Sequence, residues 1–390
     1  MLTYRTAGES HGQALIALVE GIPSNLPVDF EFIDNELKRR QGGYGRGGRM
    51  KIEKDRVRFL SGVRHGKTLG SPIAMMIENR DWPNWEEIMS VREISAAAPR
   101  KRTVTRPRPG HTDLAGSLKY NQVDARNILE RSSARETTAR VAAGSLAKVF
   151  LKTFGIEVLS HTTAIGSVRL PQDFTVSWDQ LESLRMDEVV HCAVPELSDR
   201  MVQEIDKAQK EGDTIGGTFE VIARNVPTGL GSHTAWDTRL DGQLAQAIMS
   251  INAVKAVEVG TGVQGAFRKG SEVHDEIAYD AEAFSFRRLT NRAGGLEGGI
   301  TNGEDVRVTG YLKPIPTLRK ALRSVDMITK EPFVAQHERS DTCTVPAAGV
   351  IGETMVALVL ARAFLEKFGG DSIEETSRNY AGYLEQLRSY

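Results

Sequence analysis

Two histidines sit in glycine-flanked loops: His11 in Gly8-Glu9-Ser10-His11-Gly12, and His111 in Pro109-Gly110-His111-Thr112-Asp113. An imidazole titrates near neutrality, so an accessible, loop-held histidine suits proton donation to a leaving group. Asp113 stands where it can orient His111. Arginines gather in loops of the same kind. They occur in Arg39-Arg40-Gln41-Gly42-Gly43-Tyr44-Gly45-Arg46-Gly47-Gly48-Arg49, in Arg106-Pro107-Arg108-Pro109, in Arg131-Ser132-Ser133-Ala134-Arg135 and in His337-Glu338-Arg339-Ser340-Asp341. Glycine lets backbone bend close to a ligand, while guanidinium forks grip carboxylate or phosphate at two points. Arg40, Arg46 and Arg49 would do the gripping in the first run, which lacks the Gly-Lys-Ser/Thr ending of a P-loop. Arg131 to Arg135 opens a long helix, whose hydroxyls and free N–H groups form an anion seat or an ordinary cap. In the second half Arg339-Ser340-Asp341 takes the equivalent place, and Asp341 adds a carboxylate able to take or hold a proton. Lys313-Pro314-Ile315-Pro316-Thr317 offers a cation and a hydroxyl on a stiff turn. Asn291 to Gly299 is a glycine-rich loop that would let backbone pass close to a flat ring.

These groups belong to a chain of 390 residues, 40% hydrophobic and 26% charged, with a formal net charge of −1. That is the profile of a globular protein with a substantial core. Concentrated positive loops in a charge-balanced chain imply a compact, highly anionic small molecule. They argue against bulk attraction to nucleic acid. A nucleic-acid module built on Arg100-Lys101-Arg102 through Arg108 is the competing account, and it requires steeply salt-dependent binding. No His-x-x-x-His pair or acidic cluster suggests a metal. Cys192 and Cys343 are too few for a disulfide framework, and Met1-Leu2-Thr3-Tyr4-Arg5 is not a charged-then-apolar leader. Both point to a cytoplasmic location, with no membrane association.

The elements that must hold the loops are legible as a repeat. Asn225-Val226-Pro227-Thr228-Gly229-Leu230 echoes Gly21-Ile22-Pro23-Ser24-Asn25-Leu26, and Lys313-Pro314-Ile315-Pro316 echoes Arg106-Pro107-Arg108-Pro109. Glu338-Arg339-Ser340 echoes Glu130-Arg131-Ser132, and the run ending Phe368-Gly369 echoes that ending Phe154-Gly155. The separation between matched residues grows slowly along the chain and never reverses, as duplication followed by small insertions would leave it. One domain over 1–390 results, with lobes of about 1–205 and 206–390. Leu15 to Glu20 and Thr218 to Arg224 read as strands feeding Pro turns, then helices at Asp29 to Arg40 and Leu240 to Ile251. Val57 to Val63 and Ile73 to Ile77 supply further strand. Helices over roughly Ala134 to Phe154 and Ala347 to Phe368 are apolar around most of their circumference, as helices enclosed between layers are. Val141, Leu146, Val149 and Phe150 would pack one; Val350, Met355, Val359 and Phe364 the other. Gln172 to Asp206 would carry peripheral helices. The fold class is α+β, with helices sandwiched between antiparallel β-sheets.

With GESHG, RRQGGYGRGGR, RPGHTD, RSSARET, AGGLEGGITNG, KPIPT and ERSDTCTVPAAGVIGE in order, the chain resembles the chorismate synthase family over essentially its whole length. The resemblance implies the last step of the shikimate pathway, a 1,4-anti elimination of phosphate from 5-enolpyruvylshikimate 3-phosphate. It implies reduced FMN as cofactor with no net redox change, and a homotetramer. It makes His11, His111 and Asp341 the catalytic residues. Ser10, Arg40, Arg46, Arg49, Arg135 and Arg339 would bind substrate. Arg131, Ser132, Ser133, Asn252, Ala253, Gly298, Lys313, Pro314, Ile315, Pro316, Thr317 and again Arg339 would line the FMN site. The family's NADP contacts fall on Arg40 and Arg46, positions that substrate anions account for. The chain carries no flavin-reductase domain, so a monofunctional member supplied by an external flavin reductase is expected. An FMN oxidoreductase is the rival enzyme, and it would consume reduced flavin with each turnover.

Overall fold

Two antiparallel sheets enclose the long helices. A computed structural model describes residues 1–47, 54–93, 102–171, 174–187, 189–282, 284–320, 322–335 and 341–390. The first sheet runs β1-β2-β6-β3, from β1 (Thr3–Ala7), β2 (Ala14–Glu20), β3 (Arg58–Phe59) and β6 (Ile73–Glu78). The second runs β10-β15-β9-β7-β8, from β7 (Glu157–Ile165), β8 (Val168–Arg169), β9 (Gly217–Arg224), β10 (Val254–Val259) and β15 (Val306–Leu312). Four short hairpins stand outside these sheets: β4–β5 (Val63–Arg64, Lys67–Thr68), β11–β12 (Ile277–Asp280, Ser285–Arg288), β13–β14 (Leu296–Glu297, Ile300–Thr301) and β16–β17 (Arg323–Val325, Pro332–Val334). Strict alternation drives the first sheet. Leu15, Ala17 and Val19 of β2 and Ile73, Met75 and Ile77 of β6 turn one face inward. The strand expected over Val57 to Val63 is broken into β3 and β4, because Ser61-Gly62 bends there with Gly62 at φ +79°.

Between the sheets lie α1 (Phe30–Gln41), α4 (Thr137–Lys152), α7 (Leu240–Met249) and α10 (Val345–Phe368). The shorter α2 (Asp113–Tyr120) and α3 (Arg126–Ser132) lead into α4 through a 3-10 turn at Ala134–Glu136. Around the outside run α5 (Trp178–Leu184), α6 (Pro195–Lys210), the single-turn α8 (Gly262–Gly265) and α9 (Gly270–Val273), and α11 (Ile373–Ser389). One side of α4 packs on β2 and β6 and the other on α10, which in turn covers β7 and β9. The expected core residues are buried, except that Val359 is only half covered. Helix α10 is long and apolar enough to cross a membrane by length alone, yet it is almost wholly buried in this core. The two long helices run side by side in the same direction. Gly144 meets Thr354 near mid-length, and towards the C-terminal ends Phe150 meets Phe364 edge to face while Phe154 lies tilted against it.

The two halves share a strand order. Reading β1-β2-β6-β3 against β7-β9-β15-β10 matches each strand with one in the same place in both space and sequence. Their Pro turns are closed alike. Thr68 donates its hydroxyl to the Pro23 carbonyl at 2.6 Å and accepts the Leu26 N–H at 3.0 Å. Thr301 does the same for Pro227 at 2.6 Å and Leu230 at 2.8 Å. The chain crosses from one sheet to the other between Lys152 and Glu157, earlier than a boundary near residue 205.

A buried ionic knot ties α1, α4, α10 and β7. Arg39 donates to both oxygens of Glu353 at 2.8 Å and to Glu36 at 2.9 Å. Lys148 donates to Glu36 and to Glu353 at 2.6 Å, and Ser160 to Glu353 at 2.7 Å. Burial pushes both carboxyls up, but Arg39 and Lys148 outweigh it and hold them below the usual carboxylate range. Arg39 therefore belongs to the core and not to the ligand-gripping run in which it stands.

Candidate active site

The β1–β2 loop carries Ser10 and His11 onto α3. The Ser10 N–H donates to the Glu130 carbonyl at 2.9 Å and the His11 N–H to the Glu130 carboxylate at 2.8 Å. His11 Nδ1 lies 2.9 and 3.0 Å from the two Glu130 oxygens. Its ring stacks on Trp85, with centroids 3.8 Å apart and planes 23° from parallel. Ser10 is buried and donates to Ser133 Oγ at 3.1 Å, which joins this loop to the start of α4.

Beside them, Arg135 and Arg40 converge on Asp55. Arg135, in the turn before α4, donates to Asp55 at 2.6 Å and to Asn79 Oδ1 at 3.0 Å. Arg40, at the end of α1, donates to Thr137 Oγ1 at 2.9 Å and to the Ala134 carbonyl at 2.8 Å. Its Nη1 stands 4.0 Å from Asp55, buried and without a hydrogen-bond partner among the described residues; Asp55 Oδ1 is in the same condition. Burial pulls the Arg40 guanidinium down, to about 9; Asp55 opposes this, while Arg135 and Arg46 add to it. Arg46 pairs with Asp341 at 3.1 Å, and the Gly47 N–H donates to the other Asp341 oxygen at 2.5 Å. Asp341 precedes α10 as Arg135 precedes α4, so the N-terminal ends of two parallel helices share this region. Both dipoles add positive potential to that of the arginines.

A chain of contacts then joins the second half to the first. Asn252 donates to the Ser132 carbonyl at 3.1 Å, Lys313 N–H to the Ala253 carbonyl at 3.0 Å, and Lys313 Nζ to the Gly110 carbonyl at 2.6 Å. Ala253 holds a left-handed φ of +70°. Burial, and then Lys255, lower the Lys313 ammonium. The Ile315 carbonyl accepts from Thr214 at 2.7 Å, which braces the Lys313 to Thr317 turn with Pro314 and Pro316. Arg108 closes the ring by donating to Thr317 Oγ1 at 3.0 Å and gripping Asp113 at 2.8 and 3.0 Å. His111 Nδ1 lies 2.6 Å from Asp113 and 3.1 Å from Arg108. Burial raises the Asp113 carboxyl, but His111 and Arg108 more than reverse this and hold it far below the usual range. Asp113 is thus held as a carboxylate between His111 Nδ1 and the Arg108 fork.

Ser10, His11, Arg40, Arg46, Arg135 and Asp341 therefore form one group, and Ser132, Ser133, Asn252, Ala253, His111 and Lys313 to Thr317 form the adjoining ring. Arg131 is half-exposed and turned towards β1, donating to Thr6 and to the Gly8 carbonyl. Gly298 sits at the exposed turn of β13–β14, and no hydrogen bond among the described residues ties it to the ring. Arg49 and Arg339 lie outside the described residues. Sequence reasoning missed Glu130, Asp55, Asn79 and Trp85, and left Arg108 without a role. Only Glu130 carried a local signal, the i,i+4 spacing with Arg126 that becomes a 3.0 Å ion pair on α3.

A family model described as Chorismate synthase matches residues 2–365. Chorismate synthases of Solibacter usitatus and Koribacter versatilis are 59% and 55% identical to this chain, each alignment covering 100% of both proteins. The chain belongs to the chorismate synthase family. A crystal structure of chorismate synthase aligns with a TM-score of 0.80 at 42% identity, covering 100% of this chain and 99% of that one. The fold agrees with that neighbour, a mixture of helices and antiparallel sheets. Chorismate synthase activity makes the chain a carbon–oxygen lyase of the shikimate pathway, acting on a phosphate-bearing small molecule with a flavin cofactor.

Proposed function

We propose that the Asp55-centred arginines bind 5-enolpyruvylshikimate 3-phosphate, that the adjoining ring holds reduced FMN, and that a 1,4-anti elimination takes place between them. The C3–O bond to phosphate breaks, a hydrogen leaves C6, and chorismate and phosphate depart with no net redox change. The observation that carries this reading is the buried, under-satisfied Arg40 beside Arg135, Arg46 and Asp55. A guest with two carboxylates and a phosphate supplies the acceptors this cluster lacks. FMN fits the ring on one observation: Ser132 Oγ is buried without a partner among the described residues, within a wall that also offers Lys313 and Thr317.

Reduced FMN, held there, would supply transient electron density for the elimination with no net redox change. The chain's own residues bind, orient and move protons. Ser10, Arg40, Arg46, Arg49, Arg135 and Arg339 hold substrate anions. Arg131, Ser132, Ser133, Asn252, Ala253, Gly298, Lys313 to Thr317 and Arg339 line the flavin. His11 gives a proton from Nε2 to the departing phosphate. His111 keeps flavin and phosphate in their working protonation states, and Asp341 assists proton movement at the flavin N5. NADP contacts at Arg40 and Arg46 have less support, since both arginines are already committed to the small-anion cluster. The deciding assay is anaerobic turnover with reduced FMN. Phosphate and chorismate should form in equal amounts with no net loss of reduced flavin. Flavin oxidised in step with product would instead mean an oxidoreductase.

The same reading covers assembly, setting and history. The exposed apolar side chains Phe267, Ile277, Tyr279, Phe284 and Phe286 support subunit contacts and a homotetramer, testable by light scattering. Two free cysteines, both buried, suit a reducing cytoplasm, where an external flavin reductase supplies the cofactor. The single domain 1–390 arose by duplication, and the matched strand order and Thr68/Thr301 closures support a lobe boundary near Gly155.

A further inference from the structure

His11 touches more than a proton donor needs. Its backbone N–H and its ring Nδ1 both go to the carboxylate of one residue, Glu130, whose carbonyl also takes the preceding N–H of Ser10. Glu130 is buried, and Arg126 Nη1 holds its Oε1 at 3.0 Å. Trp85 fixes the plane of the His11 ring from one face, and the Arg102 guanidinium lies 4.0 Å from the Trp85 centroid. Burial raises the Glu130 carboxyl, but the hydrogen bonds and charge of His11, with Arg126, carry it below the usual range. An ionised carboxylate has no proton to give, so the bond between them must use a proton on Nδ1.

We propose that Glu130 is a positioning residue: its carboxylate accepts a forked hydrogen bond from the His11 Nδ1–H and so commits the imidazole to working through Nε2. Arg126 keeps the carboxylate aimed, and Trp85 keeps the ring from turning about its bond. The groups facing this imidazole are therefore Glu130 and Arg126 from α3, with Trp85 and, behind it, Arg102. His111 Nδ1 also faces a carboxylate, that of Asp113 two residues along the chain. For His11 the carboxylate arrives from a distant helix, where its spacing marks a pair with Arg126 but not the contact with the loop. The proposal rests on the reading of His11 as the acid, and the two are separable by experiment.

Protein labelled with [15N]-histidine, with the His11 signals identified by their loss in His11→Ala, should show Nδ1–H and a lone pair on Nε2 at a pH where the ring is neutral. Wild-type protein with the proton on Nε2 would overturn the proposal without any Glu130 variant. Glu130→Gln should give a mixed tautomer. It should lose between about 10²-fold and about 10⁴-fold in kcat, the span from a lost general acid to a lost tautomer-fixing carboxylate, with KM nearly unchanged. Glu130→Asp, which keeps the charge, should recover part of this. A Glu130→Gln/His11→Ala protein should turn over no more slowly than His11→Ala alone. Wild-type kcat in Glu130→Gln, or a full additional loss in the double variant, would refute action through His11. Wild-type turnover in His11→Ala would remove the acid role, while the tautomer measurement still decides the part of Glu130.

Discussion

Gly144→Ala pits two effects of opposite sign against each other. In an isolated helix, Ala is preferred to Gly by about 1 kcal/mol, so propensity alone predicts a more stable protein. Gly144, however, lies where α4 crosses α10. A Cβ there would stand 2.5 Å from the Thr354 carbonyl oxygen and 2.8 Å from its carbonyl carbon. That is roughly 0.8 Å inside the ~3.3 Å at which a carbon–oxygen contact becomes tolerable. Backbone cannot rotate away as a side-chain tip can, so the helices must separate. Overpacking of this kind costs about 1–3 kcal/mol, which outweighs the propensity gain or cancels it at best. The displacement also reaches the site, because the same helices carry Arg135 and Asp341 at their N-terminal ends. A misplacement of about 1 Å lowers rates by about 10²-fold. Thermal unfolding and kcat should both fall for Gly144→Ala. Gly242→Ala on the exposed side of α7, where a Cβ meets nothing within 4 Å, serves as the control and should be neutral or stabilising. A Gly144→Ala protein more stable than wild type, with normal kcat, would refute the argument that this glycine sets the helix spacing.

His11→Ala and His111→Ala should each keep the far-ultraviolet spectrum of the parent and lose at least about 10²-fold in turnover; unimpaired rates in both would reject their assigned roles. Arg108→Lys replaces a fork that joins Asp113 to Thr317 with a single point charge, so flavin titration should show affinity weakened about 10-fold or more. Unchanged flavin binding would mean the two proline loops do not depend on that bridge. Glu36 and Glu353 have depressed folded-state values, so the stability they contribute is present above the unfolded carboxyl value of about 4.3 and is lost as pH falls through and below it. Acid unfolding of Lys148→Met should therefore begin at higher pH than that of wild type, and coincident acid-unfolding curves would contradict the linkage.

Periodicity made the scaffold readable. Short apolar runs marked β2 and β6, and the longer runs ending at Phe154 and Phe368, apolar over most of their circumference, marked helices enclosed between layers. Loop chemistry marked His11, His111 and Asp341 because glycine, proline and arginine leave local traces. What stayed hidden was non-local pairing. Asp55 stands between Lys54 and Arg56, a pattern that reads as a solvated surface until Arg135 arrives from the turn before α4 to pair with it. Glu130 reads as a helix charge paired with Arg126 until the β1–β2 loop folds onto it. The strand over Val57 to Val63 failed for a local reason, since the bend at Ser61-Gly62 overrides the apolar run.

Arg39 and Arg40 show how one dipeptide serves both the core and the site. Successive residues on an α-helix point about 100° apart, so the two guanidinium groups leave the end of α1 in different directions. Arg39 turns into the knot, where two cations, Arg39 and Lys148, meet two carboxylates, Glu36 and Glu353. Arg40 turns towards Arg135 and Arg46, where the carboxylates among the described residues are Asp55 and Asp341, one fewer than the arginines. Arg39 and Lys148 balance Glu36 and Glu353 in the knot, while the site holds one more arginine than carboxylate among the described residues. The difference predicts distinct failures. Removing a cation from the knot leaves the two buried carboxylates short of a partner and should cost about 3–5 kcal/mol of stability. Removing Arg40 relieves a local excess of positive charge, so Arg40→Met should remain folded and show its defect in KM for the anionic substrate. An Arg40→Met protein destabilised as much as a knot variant, yet with wild-type KM, would place Arg40 in the core with Arg39.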